Sequence, residues 1–176
     1  MELYCKELPS PIGRLTAVLS AAGLCRLAFP DEGDLDADLK RRFGEVTLRR
    51  GVPPGDVVER LRAYFGGDLG ALDAIPVDLR GTEFQVKVWR ALRGIATGKV
   101  ISYGELARRI GAPTAVRAVG LANGANPVPV VVPCHRVIGS NGKLTGYGGG
   151  LDRKAWLLRH EGAAFREAGA QAGLTF

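Results

Sequence analysis

The sequence predicts an α+β fold in two parts: a small antiparallel sheet with helices over residues 1–78, and a helical half over 79–164. Three observations carry that reading. Up to residue 29, short apolar runs are separated by turn residues, as strands require. Beyond residue 82, apolar residues recur three and four apart, as on one face of a helix. Between them, residues 70–82 hold Pro76 and several small or polar side chains, and the charge changes sign there. The first 80 residues carry eleven basic and thirteen acidic side chains, the remainder thirteen and five.

Taken in order, Tyr4–Leu8, Leu15–Leu19 and Leu24–Phe29 read as strands, with a turn at Ala21-Ala22-Gly23. The acidic stretch Asp31–Asp38 leads into a short helix, Leu39–Phe43, whose N-terminus the acids favour. Val52-Pro53-Pro54-Gly55 breaks the chain. Asp56 then caps a helix carrying Val57, Val58, Leu61, Tyr64 and Phe65, and Gly66-Gly67 ends it. Thr82 opens the next helix, with Gln85 at the capping-box position and Phe84, Val88, Trp89 and Leu92 on its apolar face. Gly98 marks a stop. Two short helices follow, Tyr103–Ile110 and Thr114–Asn123, separated by Gly111-Ala112-Pro113. The pair fits a helix-turn-helix; a helical hairpin in a core fits it equally. The second helix is built of small residues with one long cation, Arg117, so its backbone can approach another surface closely. Residues 165–176, rich in Ala and Gly, read as a loose tail.

At 176 residues, 46% hydrophobic and 24% charged, the chain can bury a core and reads as soluble and globular. No apolar run approaches the roughly 20 residues that span a bilayer. The segment MELYCKELPS has two acids and no apolar core, unlike a secretory signal, so a cytoplasmic location and no membrane partner are expected. The net charge of +6 sits in the second half. A polyanion partner accounts for it, and so does chance asymmetry. The cysteines are Cys5, Cys25 and Cys134, without CxxC spacing. The only histidines, His135 and His160, lie far from Cys5 and Cys25, so no four-ligand metal site of Cys and His is expected in the first half. Two buried apolar thiols are expected there instead.

The most informative segment is Asn126-Pro127-Val128-Pro129-Val130-Val131-Val132-Pro133-Cys134-His135-Arg136-Val137. The valines predict a buried strand or extended run. The prolines stiffen it and withhold amide donors. Cys134 then sits at a rigid turn beside a histidine and an arginine. A thiolate is the reactive form, and cationic or proton-accepting neighbours favour it. A single cysteine near a histidine is more often structural, and adjacent residues in an extended chain point apart, so Cys134 and His135 need not touch.

Pro133-Cys134-His135-Arg136-Val137, preceded by Asn126-Pro127, resembles the active-site signature of the O6-alkylguanine-DNA alkyltransferases. So do Val100-Ile101-Ser102-Tyr103, Arg117-Ala118-Val119-Gly120, Gly146-Tyr147-Gly148-Gly149-Gly150-Leu151 and Lys154–Leu158 with His160-Glu161-Gly162, in the family order over about residues 82–162. The resemblance implies an RNase-H-like first domain and a winged-helix-like second. It implies irreversible transfer of an alkyl group from O6-alkylguanine, and from O4-alkylthymine, in double-stranded DNA to Cys134, with base flipping and no cofactor or metal. On that resemblance His135 takes the thiol proton through a water, Glu161 orients it, and His160 is structural. Asn126 braces the active-site segment. Tyr103 lies beside the target nucleotide and Arg117 enters the duplex. Ala115, Gly120 and Arg136 join them as expected DNA contacts. Tyr147, Gly148, Gly149, Pro129 and Val137 are expected in the substrate pocket. Gly148 replaces a serine of some relatives and Gly149 a bulkier residue, which implies tolerance for ethyl or benzyl groups. A monomer in solution is expected, with cooperative binding on DNA left open. The rival readings are a non-catalytic alkyltransferase-like damage binder, a helix-turn-helix regulator and a cysteine hydrolase.

Overall fold

The computed structural model describes residues 1–51 and 53–167. Strands β1 (Glu2–Leu8), β2 (Leu15–Ser20), β3 (Gly23–Ala28) and β4 (Thr47–Arg50) form one sheet in the order β3-β2-β1-β4. The first three are the expected antiparallel meander, with Tyr4 opposite Leu19 and Leu8 opposite Leu15. Gly23 is needed at its turn. Its φ is +142°, and a Cβ there would lie 2.4 Å from the Pro76 carbonyl oxygen. The fourth strand is an addition: β4 pairs parallel with β1, Glu2 against Thr47. It is short, mostly exposed and at an edge, so no apolar alternation announces it.

Helix α1 (Leu35–Phe43) starts four residues before the expected Leu39, because Asp34 caps it by accepting from Ala37 N at 3.1 Å. Helix α2 (Val57–Phe65) has the expected face. Asp56 stands at its N-cap without a capping bond, and its carboxylate instead pairs with Arg60 at 2.8 Å. In the second half, α3 (Glu83–Leu92) opens on the reciprocal Thr82–Gln85 capping box. The two short helices are α4 (Tyr103–Arg109) and α5 (Val116–Gly124), and α6 (Leu151–His160) closes the described fold. Two-residue strands β5 (Ile101–Ser102) and β6 (Val137–Ile138) pair in parallel, too short to show a period in sequence.

The valine run is buried, but it is not a strand. It folds as consecutive turns, with Val132 N donating to Val128 O at 2.9 Å, and passes into a 3₁₀ turn at Cys134–Arg136. Pro127, Pro129 and Pro133 lack the amide donors that a ladder needs. Val130 takes φ 75°, the one non-glycine positive φ among the described residues, in a region β-branched residues rarely occupy.

One hydrophobic core runs through both halves, from Leu8, Leu15, Leu61 and Tyr64 to Val88, Trp89, Leu106, Val119 and Val132. The expected loose tail does not begin at 165. Phe165 packs beside Leu144 and Leu158, and Arg166 bridges to Lys143. Residues 168–176 of that tail lie outside the described residues. No described helix is long and apolar enough to cross a membrane.

Candidate active site

Cys134 begins the 3₁₀ turn and is 5% exposed. The preceding loop is tied across itself by Asn126, whose Nδ2 donates to Val132 O at 2.7 Å while its Oδ1 accepts from Val128 N at 2.9 Å. The sheet supports the same loop. Leu27 N and Arg26 NH1 both donate to the Pro127 carbonyl, at 3.0 and 3.1 Å. Arg26 is itself held by Glu32 and Asp38. Burial pushes the Cys134 thiol up to about 11, against the hydrogen bond from Asn126 and the charge of Lys154, which favour the thiolate. The resting group at neutral pH is therefore a thiol, and its chemistry needs a base.

His135 is fully buried, and its Nε2 lies 2.9 Å from Glu161 Oε1. An ionised carboxylate only accepts, so Nε2 carries the hydrogen. That leaves the lone pair on Nδ1, which is buried and has no protein partner. Burial lowers the pKa of His135 despite the neighbouring carboxylate, so the ring is neutral and can take a proton. Glu161 also accepts from Tyr64 Oη at 2.8 Å, from Arg136 Nε at 2.9 Å and from Arg136 NH2 at 2.8 Å. Burial acts to raise its pKa, but the hydrogen bonds from His135 and Arg136 prevail and hold it well below the usual carboxylate range.

The thiol borders a pocket that Phe29, Asn123, Asn126, Pro129, Tyr147, Gly148 and Gly149 also line, with about 30 Å³ of free space. That is room for a water or two, so the walls must part for a purine. Phe29 and Tyr147 meet edge to face at 6.2 Å. A Cβ on Gly149 would come within 2.6 Å of the Phe29 ring, whereas one on Gly148 would find nothing closer than 3.8 Å. The segment carrying Tyr147 is fixed from below. The ammonium of Lys154, fully buried, donates to Thr145 O at 2.8 Å and Val137 O at 2.6 Å, and Tyr103 Oη donates to Thr145 O at 3.2 Å. Burial brings the Lys154 pKa down to about 8. A larger groove of about 760 Å³, bounded by Arg14, Arg26, Asp34 and Arg41, shares Phe29 and Glu32 with this pocket, but Cys134 is not among its walls.

Beside the pocket, α5 presents Val116, Arg117, Ala118 and Leu121 outward, and no acid lies in its sequence. Trp89 Nε1 fastens it to α3 by donating to Ala122 O at 2.8 Å. The family model of the 6-O-methylguanine DNA methyltransferase DNA-binding domain matches residues 83–163. A methylated-DNA–protein-cysteine methyltransferase of Mycolicibacterium paratuberculosis is 66% identical over 156 residues, 89% of this chain and 90% of that protein. The chain belongs to the methylated-DNA–protein-cysteine methyltransferase family. The Shigella flexneri member is 57% identical over 109 residues, so the match spans 62% of this chain and 64% of that relative. Among solved structures, Mycobacterium tuberculosis OGT in complex with DNA superposes with a TM-score of 0.75 at 44% identity, covering 92% of this chain and 93% of that one.

Set against this family member's geometry, the sequence-predicted residues fall into three groups. Cys134, Asn126, Pro129, Tyr147, Gly148 and Gly149 line one pocket; His135 and Glu161, bonded to each other, are not among its walls. Arg117, Ala115 and Gly120 lie on or at the start of α5, with Tyr103 against Gly120, its ring carbon 3.8 Å from where a Cβ would stand. Two expectations need correction. Arg136 cannot serve as a DNA contact from its buried position, where Glu161, the Ile95 carbonyl and Thr97 take up its guanidinium. Val137 does not line the pocket; it is fully buried in β6, its N–H donating to Cys134 O and its carbonyl accepting from Lys154. His160 stacks on Trp156 and bonds Tyr64 O at 2.7 Å. The sequence reading does not single out Tyr64 as a partner of Glu161, nor Asn123, Phe29 or Lys154. Lys154 had a signal: a cation in the α6 stripe with Leu151, Leu157 and Leu158. Among the described residues, no cluster of three or more His, Cys, Asp or Glu could hold a metal.

Proposed function

We propose that the protein repairs DNA by direct reversal, moving the alkyl group of O6-alkylguanine onto Cys134 Sγ once per chain. Two observations carry it: a buried thiol lines the pocket, and the next residue in the chain is a neutral histidine locked through Nε2 to a carboxylate. His135 Nδ1 takes the thiol proton, by a water as the family resemblance implies, and Glu161 fixes the ring and stabilises the imidazolium. The thiolate attacks the alkyl carbon in line. An S–C bond forms, the C–O6 bond breaks, and its electron pair stays on the guanine, which takes up a proton at N1. The thioether product is not reversed by thiols, so the chain is consumed.

The target base must leave the stack to reach a buried thiol. Arg117, projecting from α5, fills the space left in the duplex, and Tyr103 contacts the target nucleotide. The small residues Ala115 and Gly120 let α5 lie close to the groove. Tyr147 packs on the extruded guanine, and Gly149 gives it room beside Phe29. The basic second half supplies phosphate contacts whose strength falls with salt. O4-alkylthymine is the second substrate, larger alkyl groups are tolerated, and the protein works as a cytoplasmic monomer. Benzylguanine tests the tolerance: efficient labelling of Cys134 supports it, and no labelling alongside ready reaction with methylated DNA overturns it.

The test of the reaction is intact mass after incubation with duplex DNA containing O6-methylguanine. The expected result is a gain of one methylene equivalent, mapped to Cys134 and absent in Cys134→Ala. Tight binding to damaged DNA without mass gain contradicts transfer and supports a non-catalytic damage binder.

A further inference from the structure

Tyr64 ties the close of α2 to the close of α6 at two points. Its carbonyl accepts from His160 Nε2 at 2.7 Å, and the two rings meet edge to face at 5.0 Å. One residue on, Glu161 Oε1 accepts from Tyr64 Oη at 2.8 Å. That oxygen is crowded. It also meets His135 Nε2 at 2.9 Å and Arg136 NH2 at 2.8 Å, whereas Oε2 takes Arg136 Nε at 2.9 Å. Tyr64 and Glu161 are both buried. Burial and the Glu161 charge push the Tyr64 phenol far above the usual tyrosine range, so it stays a donor.

We propose that Tyr64 is a positioning residue of the proton relay: by sharing Glu161 Oε1 with His135, it limits how firmly the histidine holds a proton. The proposal rests on the alkyl-transfer reading and adds to it a residue from the first half of the chain. Each donor on a carboxylate oxygen disperses part of its negative charge, and less is left to attract the next donor. The imidazolium that forms when His135 takes the thiol proton is stabilised by that same charge. Of the groups facing His135, Glu161 favours its protonated form, while Arg136 and Lys154 oppose it. Tyr64 itself faces Glu161, Arg136 and His160, and acts on the one favourable partner. Its hydroxyl thereby helps to keep His135 a neutral base near neutral pH, with Nδ1 ready for a proton.

The test is Tyr64→Phe, which removes the hydroxyl and keeps the ring. Tyr64→Leu is the second variant, and circular dichroism checks the fold of both. Single-turnover methyl transfer from saturating O6-methylguanine duplex is followed from about pH 5 to about pH 9. The acid limb, where His135 gains its proton, is expected to move up by about 0.5–1 pH unit in the variants, because Glu161 then holds the imidazolium more tightly. In the same proteins the proton resonance of His135 Nε2–H, assigned against His160→Gln, moves downfield as its bond to Glu161 strengthens. Rates lowered equally at every pH, with the acid limb and the resonance unmoved, overturn the proposal and leave Tyr64 as a brace between α2 and α6. An acid limb moved down overturns it too. A downfield resonance in the variants, with no methyl on Cys134 in wild type at any pH, supports the sharing of Glu161 and overturns the transfer reading alone.

Discussion

At the scale of single residues, the site is organised around Glu161, which gathers four hydrogen bonds from Tyr64, His135 and Arg136. Replacing it by alanine leaves the buried Arg136 charge unpaired, at a cost of about 3–5 kcal/mol, measurable by urea unfolding. Its pKa is depressed in the folded state, so it contributes stability above the ordinary carboxylate range that is lost as pH falls through the folded value. Wild type should lose stability on acidification below about pH 4.5, and Glu161→Gln should show a flatter acid limb. Equal slopes for the two would remove this role. His135 is shifted down by burial, so the transfer rate should be level near neutrality and fall only below about pH 6.5, as the ring gains its proton. A decline beginning above pH 7 would contradict a neutral base. The family resemblance names Cys134, His135 and Glu161 from short motifs, and the structure joins the last two by a hydrogen bond. Tyr64 could not be named from them, because it reaches Glu161 from 97 residues away. The burial of Arg136 is likewise not legible in its motif, because the groups that enclose its guanidinium come from Ile95, Thr97 and Glu161.

At the scale of elements, the legible ones were those with a strong period or cap. The Thr82–Gln85 box and the apolar face of α3 were visible, and so was the α4–α5 pair. Strands β4, β5 and β6 were hidden because each is two to four residues long and none alternates between buried and exposed positions. The valine run looked like a strand because burial and β-branching suggest one, and the prolines redirected it into turns. The placement of α5 depends on Trp89, fully buried and bonded to Ala122. Trp89→Ala should cost about 3–5 kcal/mol of stability, read from thermal or urea unfolding. For the outer face of α5, Arg117→Ala should slow repair of duplex DNA far more than reaction with a free base analogue. Equal loss in both assays would remove the proposed role in the duplex.

At the scale of the whole molecule, the two sequence parts are joined by one core and by bonds that cross between them. The first half supplies Phe29 to the pocket, Tyr64 to Glu161 and Arg26 to the Pro127 carbonyl. The sheet thus sets the shape of a site whose nucleophile lies in the other half, a dependence that the charge switch near residue 80 conceals. In the proposed reaction Cys134 accepts one alkyl group and is then spent. The most direct test is the number of methyl groups removed per chain when O6-methylguanine duplex is in large excess. The prediction is one, reached as a plateau, with every chain modified at Cys134. Continued removal beyond one per chain, or a plateau with Cys134 unmodified, would contradict it.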